Sequence, residues 1–115
     1  MSTVTIFHNP RCSKSRATMT LLEERKIHPD VVKYLENPPD KARIEEILSL
    51  LGAEPRELMR KGEAIYTQLG LAKVEDRDRL IEAMVEHPIL IERPIVISGK
   101  KARLGRPPER VLEIL

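Results

Sequence analysis

The chain has 115 residues, 33% of them charged and 41% hydrophobic, with a formal net charge of +2. That length suits one domain with one core, and the balance excludes a disordered chain. No apolar run nears the roughly 18 residues of a membrane span, one cysteine excludes an internal disulfide framework, and so small a charge does not by itself imply a nucleic-acid partner.

The amino terminus, MSTVTIFHNP, lacks the basic flank, apolar stretch and cleavage site of a signal peptide. With the lone thiol, this sets the expected location as a reducing cytoplasm. Val4, Ile6 and Phe7 form a β-rich run that Asn9-Pro10 ends. Residues 13–26 read as a helix, with Ala17 and Leu21, and Thr18 and Leu22, paired at i, i+4. Residues 31–35 read as the next strand, so the segment predicts a βαβ unit with parallel strands.

Asn37-Pro38-Pro39 breaks the chain. Ile44, Ile47, Leu48 and Leu51 then fall at i, i+3, i+4, i+7, a helix that Gly52 is placed to end. Pro55 opens a short helix over 55–60, and another carries Tyr66 and Leu69 up to Gly70. Leu80, Ile81, Met84 and Val85 form the inner face of a helix that stops before Pro88.

The last third is richer in β-formers. Residues 89–91 and 94–97 are apolar, Ser98-Gly99-Lys100 is a turn, and 101–104 return as a strand to give a hairpin. Pro107-Pro108 opens a closing helix with Val111, Leu112 and Leu115 inward. The order is β-α-β, a helical insert over about 40–87, then β-β-α. That order predicts an α/β chain of thioredoxin-like fold, with a mixed four-stranded sheet and a single domain over 1–115.

The chemistry centres on Cys12. A lone cytosolic cysteine is usually a small buried hydrophobe. This one follows a strand and a Pro-containing turn and immediately precedes a helix, where a thiolate would face the free N–H groups of the first turn. Arg11, Lys14 and Arg16 add positive charge nearby, and such surroundings make a cysteine reactive. In the motif C-S-K-S, Ser15 stands where a dithiol enzyme has its second sulfur. The resolving thiol must therefore come from another molecule, with glutathione or a glutaredoxin the natural supplier. Ser15 either donates a hydrogen bond to the thiolate or is a solvent-facing first-turn serine. A tyrosine-phosphatase loop is disfavoured, because the Arg that it needs six positions after the Cys is Thr18 here. The three histidines lack metal-site spacing, and one cysteine makes no zinc constellation. Lys100, Lys101, Arg103, Arg106 and Arg110 have no aromatic neighbours for stacking and read as a solvated hairpin face.

The segments FHNPRCSKSR, YLENPP, ELMRK, HPILIERPIV and LGRPPERVLEIL, taken together, give a resemblance over essentially the whole chain. It resembles the glutaredoxin-coupled arsenate reductase family, in particular its shorter, ArsC-like members. The resemblance implies that Cys12 attacks arsenate, that Arg60, Arg93 and Arg106 surround the oxyanion, and that His8 and Ser15 help to lower the thiol pKa. It also implies that Pro94 is the cis-proline that lies beside the thiol in thioredoxin folds. Glutathione would be the co-substrate and glutaredoxin the protein partner, with no bound cofactor or metal and with no nucleic-acid or membrane partner. On the residues alone, the three arginines are surface or loop side chains at element ends, able to converge on one pocket. Two other functions fit the same fold: a glutathione-linked thiol oxidoreductase without physiological arsenate turnover, and a transcription regulator that binds RNA polymerase.

Overall fold

The structure, a computed structural model, describes residues 3–115. Met1 and Ser2, which enter the reading of the amino terminus, lie outside the described residues. The chain divides into two compact units, one of residues 1–37 with 93–115 and one of residues 38–92. Among the described residues no helix is long and apolar enough to cross a membrane.

The first unit carries a four-stranded sheet in the order β2-β1-β3-β4: β1 Val4–Phe7, β2 Asp30–Val32, β3 Ile95–Ser98 and β4 Lys101–Leu104. β1 pairs with β2 in parallel, with Phe7 opposite Val32, while β3 runs antiparallel to both β1 and β4. This is the mixed sheet of the thioredoxin-like fold. Side chains alternate across it. Ile6 and Val96, partners in the register, point to one face and are fully buried there with Leu22 from α1 (Ser13–Glu24) and with Val111 and Ile114. Burying each such aliphatic side chain contributes roughly 1.5–3 kcal/mol.

Two readings of local structure change. The second strand ends at Val32, because the Lys33 carbonyl accepts N–H bonds from Glu36 and Asn37 at 2.9 Å and closes a turn. That turn hides Tyr34 completely and leaves Lys33, Leu35 and Glu36 exposed. The closing helix, Pro108–Ile114, is a 3₁₀ helix. Its three residues per turn stack positions i and i+3, so Val111 and Ile114 face inward while Leu115 is exposed. Val111 is thus inward as its sequence predicts, while Ile114 takes the place expected for Leu115.

The second unit is helical: α2 Lys41–Leu51, α3 Ala64–Gln68 and α4 Arg77–Glu86, with 3₁₀ turns at Pro55–Leu58, Leu71–Lys73 and Pro88–Leu90. Asp40 caps α2 by accepting the Arg43 N–H at 2.8 Å. α2 and α4 pack through Ile44, Ile47, Leu48, Leu80, Ile81 and Met84. Arg56 ties the loops together, donating to the Tyr66 hydroxyl at 2.7 Å and to the carbonyls of Leu71 and Val74. The first short helix stops at Leu58 rather than at 60, because Met59 turns extended and bridges Ile91. Residues 89–91 likewise contribute only Ile91 to β structure, since Pro88–Leu90 is a 3₁₀ turn.

Both α1 and α2 end in the same double-bonded cap, in which a left-handed residue lets two N–H groups reach back. After α2 that residue is Gly52, at φ +66°, with Ala53 N–H on the Leu48 carbonyl at 3.0 Å. After α1 it is Lys26, at φ +60°, with its own N–H on Glu23 and the Ile27 N–H on Leu22, both at 2.9 Å. A β-carbon in that conformation costs about 1–2 kcal/mol. Lys26→Gly is therefore expected to stabilise the protein by up to about 1 kcal/mol, read as a higher urea midpoint at unchanged slope. A lower midpoint would show that the lysine side chain contributes more than its backbone costs.

Candidate active site

The site is built where β1 ends. The His8 N–H bonds the Val32 carbonyl at 2.8 Å, which extends the parallel ladder by one residue. Asn9 then organises the turn from a buried position. Its side-chain oxygen accepts the Arg11 N–H at 3.0 Å, and its carbonyl accepts the Cys12 N–H at 3.0 Å. The Arg16 side chain pins the same loop by donating to the Pro10 carbonyl at 3.0 Å. Cys12 is thereby held in extended conformation, φ −94° and ψ 123°, as the N-cap residue of α1.

An N-cap side chain normally presents an oxygen to the N–H groups of the first turn. Here a sulfur takes that place, half-buried. It makes no hydrogen bond of regular capping geometry, yet Sγ lies within the influence of two backbone donors. Burial pushes the Cys12 thiol up. The N–H groups of Ser15 and Lys14, together with a hydrogen bond and the charge from the Arg93 guanidinium, outweigh this and hold it below the ordinary thiol value. The side chains of Arg11, Lys14 and Arg16 are exposed, where solvent screens their charge. The acting cation is Arg93, which is distant in sequence and only 8% exposed.

Ser15 is not solvent-facing. It is fully buried, and its hydroxyl lies 2.6 Å from His8 Nδ1 while accepting the Asn9 N–H at 3.1 Å. Its influence on the sulfur thus runs through its backbone N–H, and its side chain fastens the turn. His8 is held below its ordinary value by burial first, then by the charges of Lys33 and Arg16, so its ring is mostly neutral at pH 7.

Arg93 and Arg106 belong to the same unit as Cys12. Arg106 Nη1 donates to the Arg93 carbonyl at 3.1 Å, and each arginine is followed by a cis-proline, Pro94 and Pro107. Between them Gly105 donates its N–H to the Pro94 carbonyl at 2.9 Å. A β-carbon on Gly105 would sit 2.6 Å from Thr18 Oγ1 and 2.7 Å from Pro94 Cγ. Only glycine lets the end of β4 pass between α1 and Pro94. Arg60 lies in the second unit, where its N–H bonds the Leu90 carbonyl at 2.7 Å. Its guanidinium pairs with Glu63 at 3.4 Å and with Glu92 at 3.5 Å.

Sequence reading passed over Asn9 and Gly105. Asn9 was legible in principle, since an Asn two residues before an N–H that it can accept is a turn signature. Gly105 offered no local sign, because its neighbours Thr18 and Pro94 come from elsewhere in the chain.

A thiol with a lowered pKa is ionised, and so reactive, from a lower pH upward. Alkylation of Cys12 is expected to rise with a midpoint below that of a free cysteine measured alongside it. Arg93→Ala should move that midpoint up while sparing the rate at pH 10, where both thiols are ionised. An unchanged midpoint in the variant would remove Arg93 from this role.

The ArsC family model matches residues 7–114. The arsenate reductase of Neisseria meningitidis serogroup A is 49% identical, with the alignment covering all of both chains. The uncharacterized protein YfgD of Escherichia coli K12 is 54% identical, over 97% of this chain and 96% of its own. Among solved structures, the arsenate reductase from Vibrio cholerae superposes with a TM-score of 0.96 at 50% identity, covering 99% of this chain and 98% of its own. A turn that presents one half-buried, acidified cysteine at a helix N-terminus, and a family match that spans that turn and both cis-proline arginines, lead to one conclusion: the chain belongs to the ArsC family.

Proposed function

We propose that this protein reduces arsenate to arsenite with electrons from thiols. The observation that carries the reading is the Cys12 sulfur, held toward its thiolate at the N-cap of α1 with the Arg93 guanidinium bonded to it. The names of the Neisseria and Vibrio relatives support arsenate as the substrate.

Arsenate near pH 7 is largely a dianion, so a thiolate repels it. Arginine offsets that repulsion with charge-assisted, bidentate hydrogen bonds. Of the three candidate arginines, Arg93 and Arg106 lie in the Cys12 unit, and Arg60 is assigned the third place by its motif alone. Cys12 displaces one oxygen of As(V) as water and forms a covalent thiol–arsenate adduct. A second thiol then reacts with the adduct. The two sulfurs join as a mixed disulfide, their two electrons pass to arsenic, and arsenite leaves. With no second cysteine in the chain, that thiol comes from outside. Glutathione is assigned this part, and a glutaredoxin then reduces the mixed disulfide, in the reducing cytoplasm where both are held ready. His8 and Ser15 act on the sulfur by fixing the turn. Pro94 carries Arg93 and accepts the Gly105 N–H.

Purified protein with glutathione, glutaredoxin and arsenate is expected to release arsenite, measured by arsenic speciation, and Cys12→Ser should reduce this to background. Arg106→Ala and Arg60→Ala should raise the arsenate KM by tenfold or more, on the order of 1.4 kcal/mol each. If Cys12 exchanges thiols while no arsenite forms, the protein is a thiol oxidoreductase of this fold and the reading fails.

A further inference from the structure

One cavity of the first unit is lined by neither Cys12 nor the three candidate arginines. It measures about 280 Å3 and is lined by His8, Asn9, Pro10, Arg11, Lys33, Leu35 and Glu36. Its position follows from the sheet. Phe7 pairs with Val32 in the parallel ladder, and the His8 N–H bonds the Val32 carbonyl, so the loops leaving β1 and β2 emerge side by side at their carboxyl ends. Ligands of parallel α/β sheets bind at that end. One loop runs from His8 into Cys12, and the other is the turn that buries Tyr34 while presenting Lys33, Leu35 and Glu36 outward.

The lining specifies the occupant. It offers two permanent cations, Arg11 and Lys33, one anion, Glu36, and apolar surface from Pro10 and Leu35. A molecule matching that set carries two carboxylates, one ammonium and a short, weakly polar middle. The volume lies just below the range of drug-sized sites, roughly 300–1,000 Å3, and suits a small molecule rather than a protein segment. The proposed reduction also needs a thiol from outside, because the chain holds no second cysteine.

We propose that this cavity binds the resolving thiol, a small peptide thiol with a carboxylate at each end and one free ammonium. Arg11 and Lys33 take the carboxylates, Glu36 takes the ammonium, and the thiol is directed along the His8–Arg11 loop toward Cys12. The inference rests on the thiol-driven reduction proposed above. The step that it serves balances: the cysteinyl-S-arsenate adduct plus one thiol gives the mixed disulfide at Cys12 plus arsenite. The S–As bond breaks, the S–S bond forms, two electrons go to arsenic, and the thiol proton ends on an arsenite oxygen.

The test needs no arsenate. Oxidised glutathione and the neutral hydroxyethyl disulfide are each reacted with the full-length protein at pH 7, and the Cys12 mixed disulfide is followed by mass spectrometry. Thiolate attack on either disulfide yields the mixed disulfide and one free thiol. Lys33→Glu is expected to slow the glutathione reaction about fivefold or more at low salt, with the neutral reaction changed less than twofold and Lys33→Arg close to wild type. In parallel, S-methylglutathione should shift the backbone NMR signals of residues 8–12 and 33–36 in the wild type. Equal slowing with both disulfides, or no shift at these residues, overturns the site. Because neither arm contains arsenate, the site can stand where arsenite formation fails. Arsenite formation at equal rates from charged and neutral thiols would instead sink the site and leave the reduction intact.

Discussion

Everything functional in this molecule depends on a sulfur occupying the place of a capping oxygen. Each unit by which a thiol is made more acidic requires about 1.4 kcal/mol of preference for the anion. A helix N-terminus supplies roughly 0.3–1 kcal/mol when exposed and up to about 2 when partly buried. Burial of Cys12 works against ionisation, so the helix alone is a thin margin. A hydrogen bond to a charged group contributes about 1.5–3 kcal/mol, and Arg93 brings one together with its charge. The site therefore joins two distant parts of the chain. The α1 turn provides oriented donors, and the loop before β3 provides the cation.

The framework was legible because it is written in local periodicity. The β-rich run of β1, the i, i+3, i+4, i+7 spacing of Ile44, Ile47, Leu48 and Leu51, and the Gly52 stop each follow from residues close together in the chain. Errors fell where tertiary packing overruled local pattern. Residues 33–35 have strand propensity, but the Lys33 carbonyl closes a turn around buried Tyr34. The last helix is of 3₁₀ form, which turns Ile114 inward and leaves Leu115 exposed.

The site was legible in part. Cys12 was marked by its position between strand and helix. The cation that acts on it is not one of its sequence neighbours: Arg11, Lys14 and Arg16 are exposed, while Arg93 is buried. No rule of spacing connects Arg93 to Cys12. That pairing came from family resemblance, and its physical basis is the register of β3 against β1, which carries the start of β3 to the end of β1 at Phe7 and Ile95. Gly105 belongs to the same class, being required by a close approach that three separate segments create.

The buried hydroxyl of Ser15 has a consequence for how this motif relates to dithiol proteins. Its oxygen already serves the Asn9 N–H and the His8 ring, away from solvent. A second cysteine grafted at that position would inherit a closed niche and weaker bonds, loosening the turn that poises the first. A single change at position 15 therefore does not turn this motif into a dithiol pair without disturbing the turn that holds Cys12.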